Sequence, residues 1–153
     1  MTRTIPSRFT ILQFLQIFLT DALTFIIYIL NELNDSAKNE TKSTAGDKHE
    51  TALAMLQIEQ ENTRNKLKEA TEQKLQLDRI DINLISEKII KGSLIKTNHG
   101  YFFLSIALGK ISVEHQQIIA LSPQSPLGLK LVGSKINDEI ELNNLKYVIE
   151  SFE

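Results

Sequence analysis

The sequence predicts an α+β protein: two long helices pairing as an N-terminal antiparallel hairpin, then a small antiparallel β domain carrying one short helix. Three observations predict it. Residues 10 to 38 contain neither Gly nor Pro, and residues 47 to 80 are rich in Ala, Leu, Glu, Gln and Lys, all good helix formers. After Asp81 the apolar spacing changes from a helical to a strand-like period. Asn98-His99-Gly100 and Asn143-Asn144 each sit between apolar alternating runs, as hairpin turns do.

Taken in order, the first helix is expected over 10–38 and a polar connection over NETKSTAGDKHE, with its tip near 39–50. The second helix is expected from Asp47 to Ile80. Its three-four spacing runs through Leu53, Leu56, Gln60, Thr63, Leu67, Ala70, Lys74 and Leu77, although Gln60, Thr63 and Lys74 are poor seam residues. An antiparallel partner explains this thin stripe, with the first helix supplying most of the apolar surface. A helix of about 30 residues, rising about 1.5 Å per residue, makes an arm on the order of 45 Å.

The domain division expected is 1–80 for the helices and 84–153 for the β-rich part, joined over Asp81 to Glu87. SLIKT and YFFLSIAL flank the first turn, ISV and QIIAL follow, and EIEL and LKYVIESF flank the last. Between them, Ser125 suits an N-cap, Pro126 the first helical position and Gly133 the residue past the end, which predicts a short helix over Pro126 to Val132.

Composition excludes some functions. Lys and Arg total 17 against 19 Asp and Glu, so no basic excess marks a general nucleic-acid binder. The absence of cysteine removes disulfides, thiolate metal sites and a thiol nucleophile, and suits a reducing, cytoplasmic setting. His99 and His115 fall in turns without a ligand set, and no Ser-His-Asp spacing or Gly-rich phosphate loop is present. Tyr101, Phe102 and Phe103 are expected in the core rather than on a base-stacking platform.

Phe9 to Leu30 is long and apolar enough for a membrane span. Against that, Asp21 sits at its centre, and Gln13, Gln16, Thr20, Thr24, Tyr28, Asn31, Asp35 and Lys38 form a continuous polar stripe on a helix. The expectation is a helix with a wide buried face; a membrane-associated or structural module remains the rival reading.

Two motifs carry the chemistry. Near the tip stands Gly46-Asp47-Lys48-His49-Glu50; in the β domain stand Ser122-Pro123, Ser125-Pro126-Leu127-Gly128, Gly133-Ser134-Lys135 and Asn137-Asp138-Glu139. Together, over about residues 30 to 153, they resemble the Gre-type transcript cleavage factors. That family carries Gly-Asp-x-x-Glu at its hairpin tip and a Ser-Pro-(Leu or Ile)-Gly helix followed by Gly-Asp in its C-terminal domain. Asn137 replaces the usual Gly here, a mild change because Asn tolerates similar turn geometry.

The resemblance implies a β domain related in fold to the FK506-binding proteins, docking on RNA polymerase, with the hairpin in the channel through which nucleotides reach the active site. It also implies that the tip carboxylates, Asp47 and Glu50, help hold the second Mg²⁺ of the polymerase when the RNA 3′ end has backtracked, so that polymerase hydrolyses its own transcript. On this reading the chain is no enzyme itself and takes no small-molecule substrate. Ser125, Pro126, Leu127 and Gly128 are the candidate docking segment, although their capping chemistry explains them equally well. Asp47 and Glu50 likewise match a capping box. Lys48 and His49 are either phosphate contacts or solvated loop-end residues. A Gre-like regulator without cleavage stimulation is a second reading, and a peptidyl-prolyl isomerase, suggested by fold alone, a third.

Overall fold

The computed structural model describes residues 4–42 and 46–153, apart from the Asp47 side chain. Two long helices, α1 (Arg8–Thr41) and α2 (Gly46–Asp78), precede a six-stranded mixed sheet with a short helix. The strands are β1 (Leu94–Thr97), β2 (Gly100–Leu104), β3 (Gly109–Val113), β4 (Gln116–Leu121), β5 (Glu139–Leu142) and β6 (Leu145–Phe152), with α3 (Pro126–Leu131) between β4 and β5. The chain divides into two compact units, one of residues up to Gln16 with Gln76–Glu153, the other Ile17–Leu75.

In the first unit, α1 starts earlier than its apolar pattern suggests because Ser7 caps it. The Ser7 hydroxyl accepts the Thr10 amide at 3.2 Å, and the Ser7 carbonyl takes the first helical bond, from Ile11. Arg8 is then tied down: its amide donates to Glu153 Oε1 at 2.9 Å, and its guanidinium to the carbonyls of Ile82 and Leu84. Ile11, Leu15 and Leu77 are fully buried in this unit.

The sheet order is β3-β4-β2-β1-β6-β5. The expectation of an all-antiparallel sheet is corrected at one ladder, where β2 and β4 run parallel, pairing Tyr101 with Ile118 and Leu104 with Leu121. The cause is the path of β3. It lands two strand-widths from β2, and the Glu114-His115 turn brings β4 back into the gap, antiparallel to β3. Both turn residues have positive φ (49° and 65°), as do Asn143 and Asn144 (52° and 62°), which is the geometry of two-residue type I′ hairpins. The Asn98-His99-Gly100 turn forms as expected, with Gly100 supplying φ +112°.

Alternation along the strands separates two apolar faces. One gathers Ile95, Phe102, Leu104 and Leu121 with Leu131 of α3 and Ile149 of β6. On the other, Leu94 and Phe103 are register partners and Phe103 pairs with Ala120, all of them buried. Phe102 and Phe103 are therefore core residues, at 4% and 0% exposure.

The second unit packs differently. Leu19, Gln60, Thr63 and Ala70 are buried. Gln60 and Thr63 are thus interior residues after all, because each finds hydrogen-bond partners there. Gln60 Nε2 donates to Asn34 Oδ1 at 3.0 Å and to the Leu33 carbonyl, and Thr63 Oγ1 donates to the Glu59 carbonyl at 2.8 Å. The expected wide buried face of α1 is corrected over this stretch: Ile17, Phe25 and Ile27 are 59%, 63% and 47% exposed, whereas the exposure of Tyr28 fits its place in the polar stripe. Length and composition alone make α1 a helix able to cross a membrane.

Candidate functional site

At the junction of the two helices, α1 continues through Asn39, Glu40 and Thr41, residues expected in the connection, and α2 begins at Gly46. Asp47 therefore lies in the first turn of α2, one residue inside its start, and not at the N-cap that a capping box requires, and Glu50 follows about one turn later. A carboxylate in the first helical turn is favoured by the positive end of the helix dipole. The Asp47 side chain lies outside the described residues. Glu50 and Lys48 are exposed, so both are open to a partner.

His49 is not simply solvated. Its Nδ1 lies 3.1 Å from Glu40 Oε2, with the His49 side chain 18% and the Glu40 side chain 40% exposed. This contact ties the last turn of α1 to the first turn of α2. No spacing in the sequence points to this pair, whose members lie in different helices. Further from the junction, Asn34, Lys38, Thr41, Leu53 and Gln57 line a groove of about 400 Å³. Among the described residues no cluster of three or more His, Asp or Glu forms a metal site.

The second candidate segment surrounds α3, and its local chemistry is complete. Ser125 adopts extended backbone at the N-cap and its hydroxyl accepts the Gly128 amide at 3.0 Å, while donating to the Ser122 carbonyl at 2.7 Å. Pro126 occupies the first turn and Gly133 follows the helix with φ +82°. The Gly133 amide donates to the Ile89 carbonyl at 2.8 Å and the Ser134 carbonyl accepts from Ile89, which stitches the helix exit to the segment before β1. Leu127 is half-buried and Gly128 buried, whereas Leu129 is 66% exposed. Asn137 has φ +71°, a conformation glycine adopts freely, and its amide donates to the Ile149 carbonyl.

His99 sits in the β1–β2 turn with Nε2 3.0 Å from the Lys146 carbonyl and its ring edge-on to Tyr147 at 4.9 Å. It serves the sheet. His115 occupies the β3–β4 turn, exposed.

The chain matches no protein-family model, no curated protein and no solved structure.

Proposed function

We propose that this chain is an RNA polymerase-binding elongation factor of the Gre type, which promotes cleavage of backtracked RNA by polymerase. In this reading α1 and α2 form an antiparallel hairpin that enters the nucleotide channel, and the sheet with α3 forms an FK506-binding-protein-like body that docks outside. Asp47 and Glu50 supply charge beside the second Mg²⁺ of the polymerase, while the phosphodiester chemistry belongs to polymerase. Ser125 to Gly128 contribute to the docking face.

The observation that carries the reading is an ordered coincidence: Gly-Asp-x-x-Glu opens the second of two long helices, and a Ser-Pro-Leu-Gly helix sits on the sheet that follows. The hairpin arrangement is supported by Gln60 meeting Asn34 and His49 meeting Glu40, contacts that two antiparallel helices would make. The exposure of Glu50 suits a group that works on a partner. The apolar residues exposed on α1 favour a second reading, a membrane-associated or structural module using residues 9–30.

The test uses backtracked elongation complexes with Mg²⁺ and polymerase from the same source. Wild-type protein is expected to speed shortening of the 3′-extruded RNA, and Asp47→Asn/Glu50→Gln to abolish that effect while still binding. Binding without acceleration would leave a channel-occupying regulator. Absence of binding would return attention to α1.

A further inference from the structure

The charged contacts in and between the helices differ in kind. Lys38–Asp35 and Arg64–Glu61 each lie within one helix at a spacing of three, with side chains more than half exposed. Such pairs contribute little. His49–Glu40 instead joins two helices, and His49 is the most sheltered side chain of these three pairs. It lies beside Glu50, whose side chain leaves the helix about 100° further round and is exposed.

We propose that His49 and Glu40 are positioning residues: their contact fixes the first turn of α2 against the last turn of α1, and so fixes where the Glu50 carboxylate is presented. The fixing of the turn stands on the observed contact; its consequence for RNA cleavage rests on the function proposed above. The pair suits this work because its two residues belong to different helices, so one contact removes freedom from both helix ends. An imidazole and a carboxylate make a stronger hydrogen bond when the ring is protonated and still make one when it is neutral, with Nδ1–H donating. Lys42 and Lys48, both exposed, and Glu50 itself are the other charged side chains described around this turn.

Amide hydrogen exchange on the intact chain tests this without polymerase. Glu40→Gln, His49→Ala, the double variant and the exchanged pair Glu40→His/His49→Glu are compared with wild type at the amides of residues 50–53, whose bonds close the first turn. His49→Ala is expected to lower protection there by roughly fivefold, with a smaller loss in Glu40→Gln, which can still accept a hydrogen bond. The double variant is expected to lose no more than His49→Ala, and the exchanged pair to recover part of the loss. Global melting temperature is expected to stay near that of wild type, which separates local loosening from misfolding. Unchanged protection, or losses that simply add, would overturn the proposal.

In the cleavage assay, the same variants are expected to lower the rate at saturating protein while the half-saturating concentration holds. A raised half-saturating concentration at full rate would overturn the link to Glu50. Should wild type fail to stimulate cleavage, the proposed function falls, and coupling seen in exchange would still uphold the fixing of the turn.

Discussion

The Gly128 amide donates to the Ser125 hydroxyl at 3.0 Å, and the Ser122 carbonyl occupies the space a side chain on Gly128 would need. The hydroxyl of Ser125 itself and Pro123 Cα lie 2.9 and 3.0 Å from that same position. The Ser-Pro-x-Ser-Pro-Leu-Gly run is therefore a folded unit in which each residue depends on the next, whatever surface it also offers.

Gly128→Ala is accordingly expected to cost about 1–3 kcal/mol, because the obstruction is backbone and cannot swing aside. Ser125→Ala, which removes only the cap, is expected to cost about 1 kcal/mol. Urea unfolding of the two variants checks both the sizes and their order.

Leu15 and Phe25 both belong to the apolar run of α1, yet one is fully buried and the other 63% exposed. Leu15→Ala is expected to destabilise by about 2–5 kcal/mol, and Phe25→Gln by no more than about 0.5 kcal/mol. Equal losses in thermal or urea melts would mean that Phe25 is covered in solution.

Asn137 has φ +71°, so a β-branched side chain there would meet its own backbone. Asn137→Val is expected to cost about 1–2 kcal/mol, and Asn137→Gly to leave stability within about 1 kcal/mol of wild type or above it. The same urea series measures both.

How far the sequence reveals these features differs from element to element. Ser125, Pro126 and Gly133 mark α3 because capping depends on local residue chemistry, and Asn143-Asn144 marks its turn for the same reason. The parallel β2–β4 ladder leaves no comparable trace: a strand's alternation records which face is buried and says nothing of the direction of its neighbour. Gln60 and Thr63 misled through their polarity, since burial of a polar side chain depends on partners such as Asn34 that lie far away in sequence. At the candidate site, Asp47 and Glu50 stand out as a motif, but the Glu40–His49 contact joins two different helices, and no spacing rule encodes it.

Lys91 gives a prediction in pH. Partial burial first, and the nearby Arg79 second, hold its ammonium below the ordinary lysine value. The folded protein therefore disfavours the charged form, and at neutral pH the unfavourable contribution is fully present. Between the lowered and the ordinary value the unfolded chain holds more protons, so stability from this group rises with pH across that window. Lys91→Gln is expected to gain a few tenths of a kcal/mol, about the scale left after solvent screening, at neutral pH. Urea melts of wild type and variant as pH rises should show that gain shrinking.

Strand β1 lies between β2, which follows it immediately, and β6, the last strand of the sheet. Lys96 faces Tyr101 on one side and Ser151 on the other, while Leu94 and Glu153 exchange both main-chain hydrogen bonds at 3.0 Å. During synthesis the β1–β2 hairpin can close at once, but the other edge of β1 waits until nearly all of the β domain has been made. In the interval that edge is an open template for foreign strands. A window of exposure toward aggregation is thus written into the strand order, and pairing over so long a separation is of the kind that slows folding.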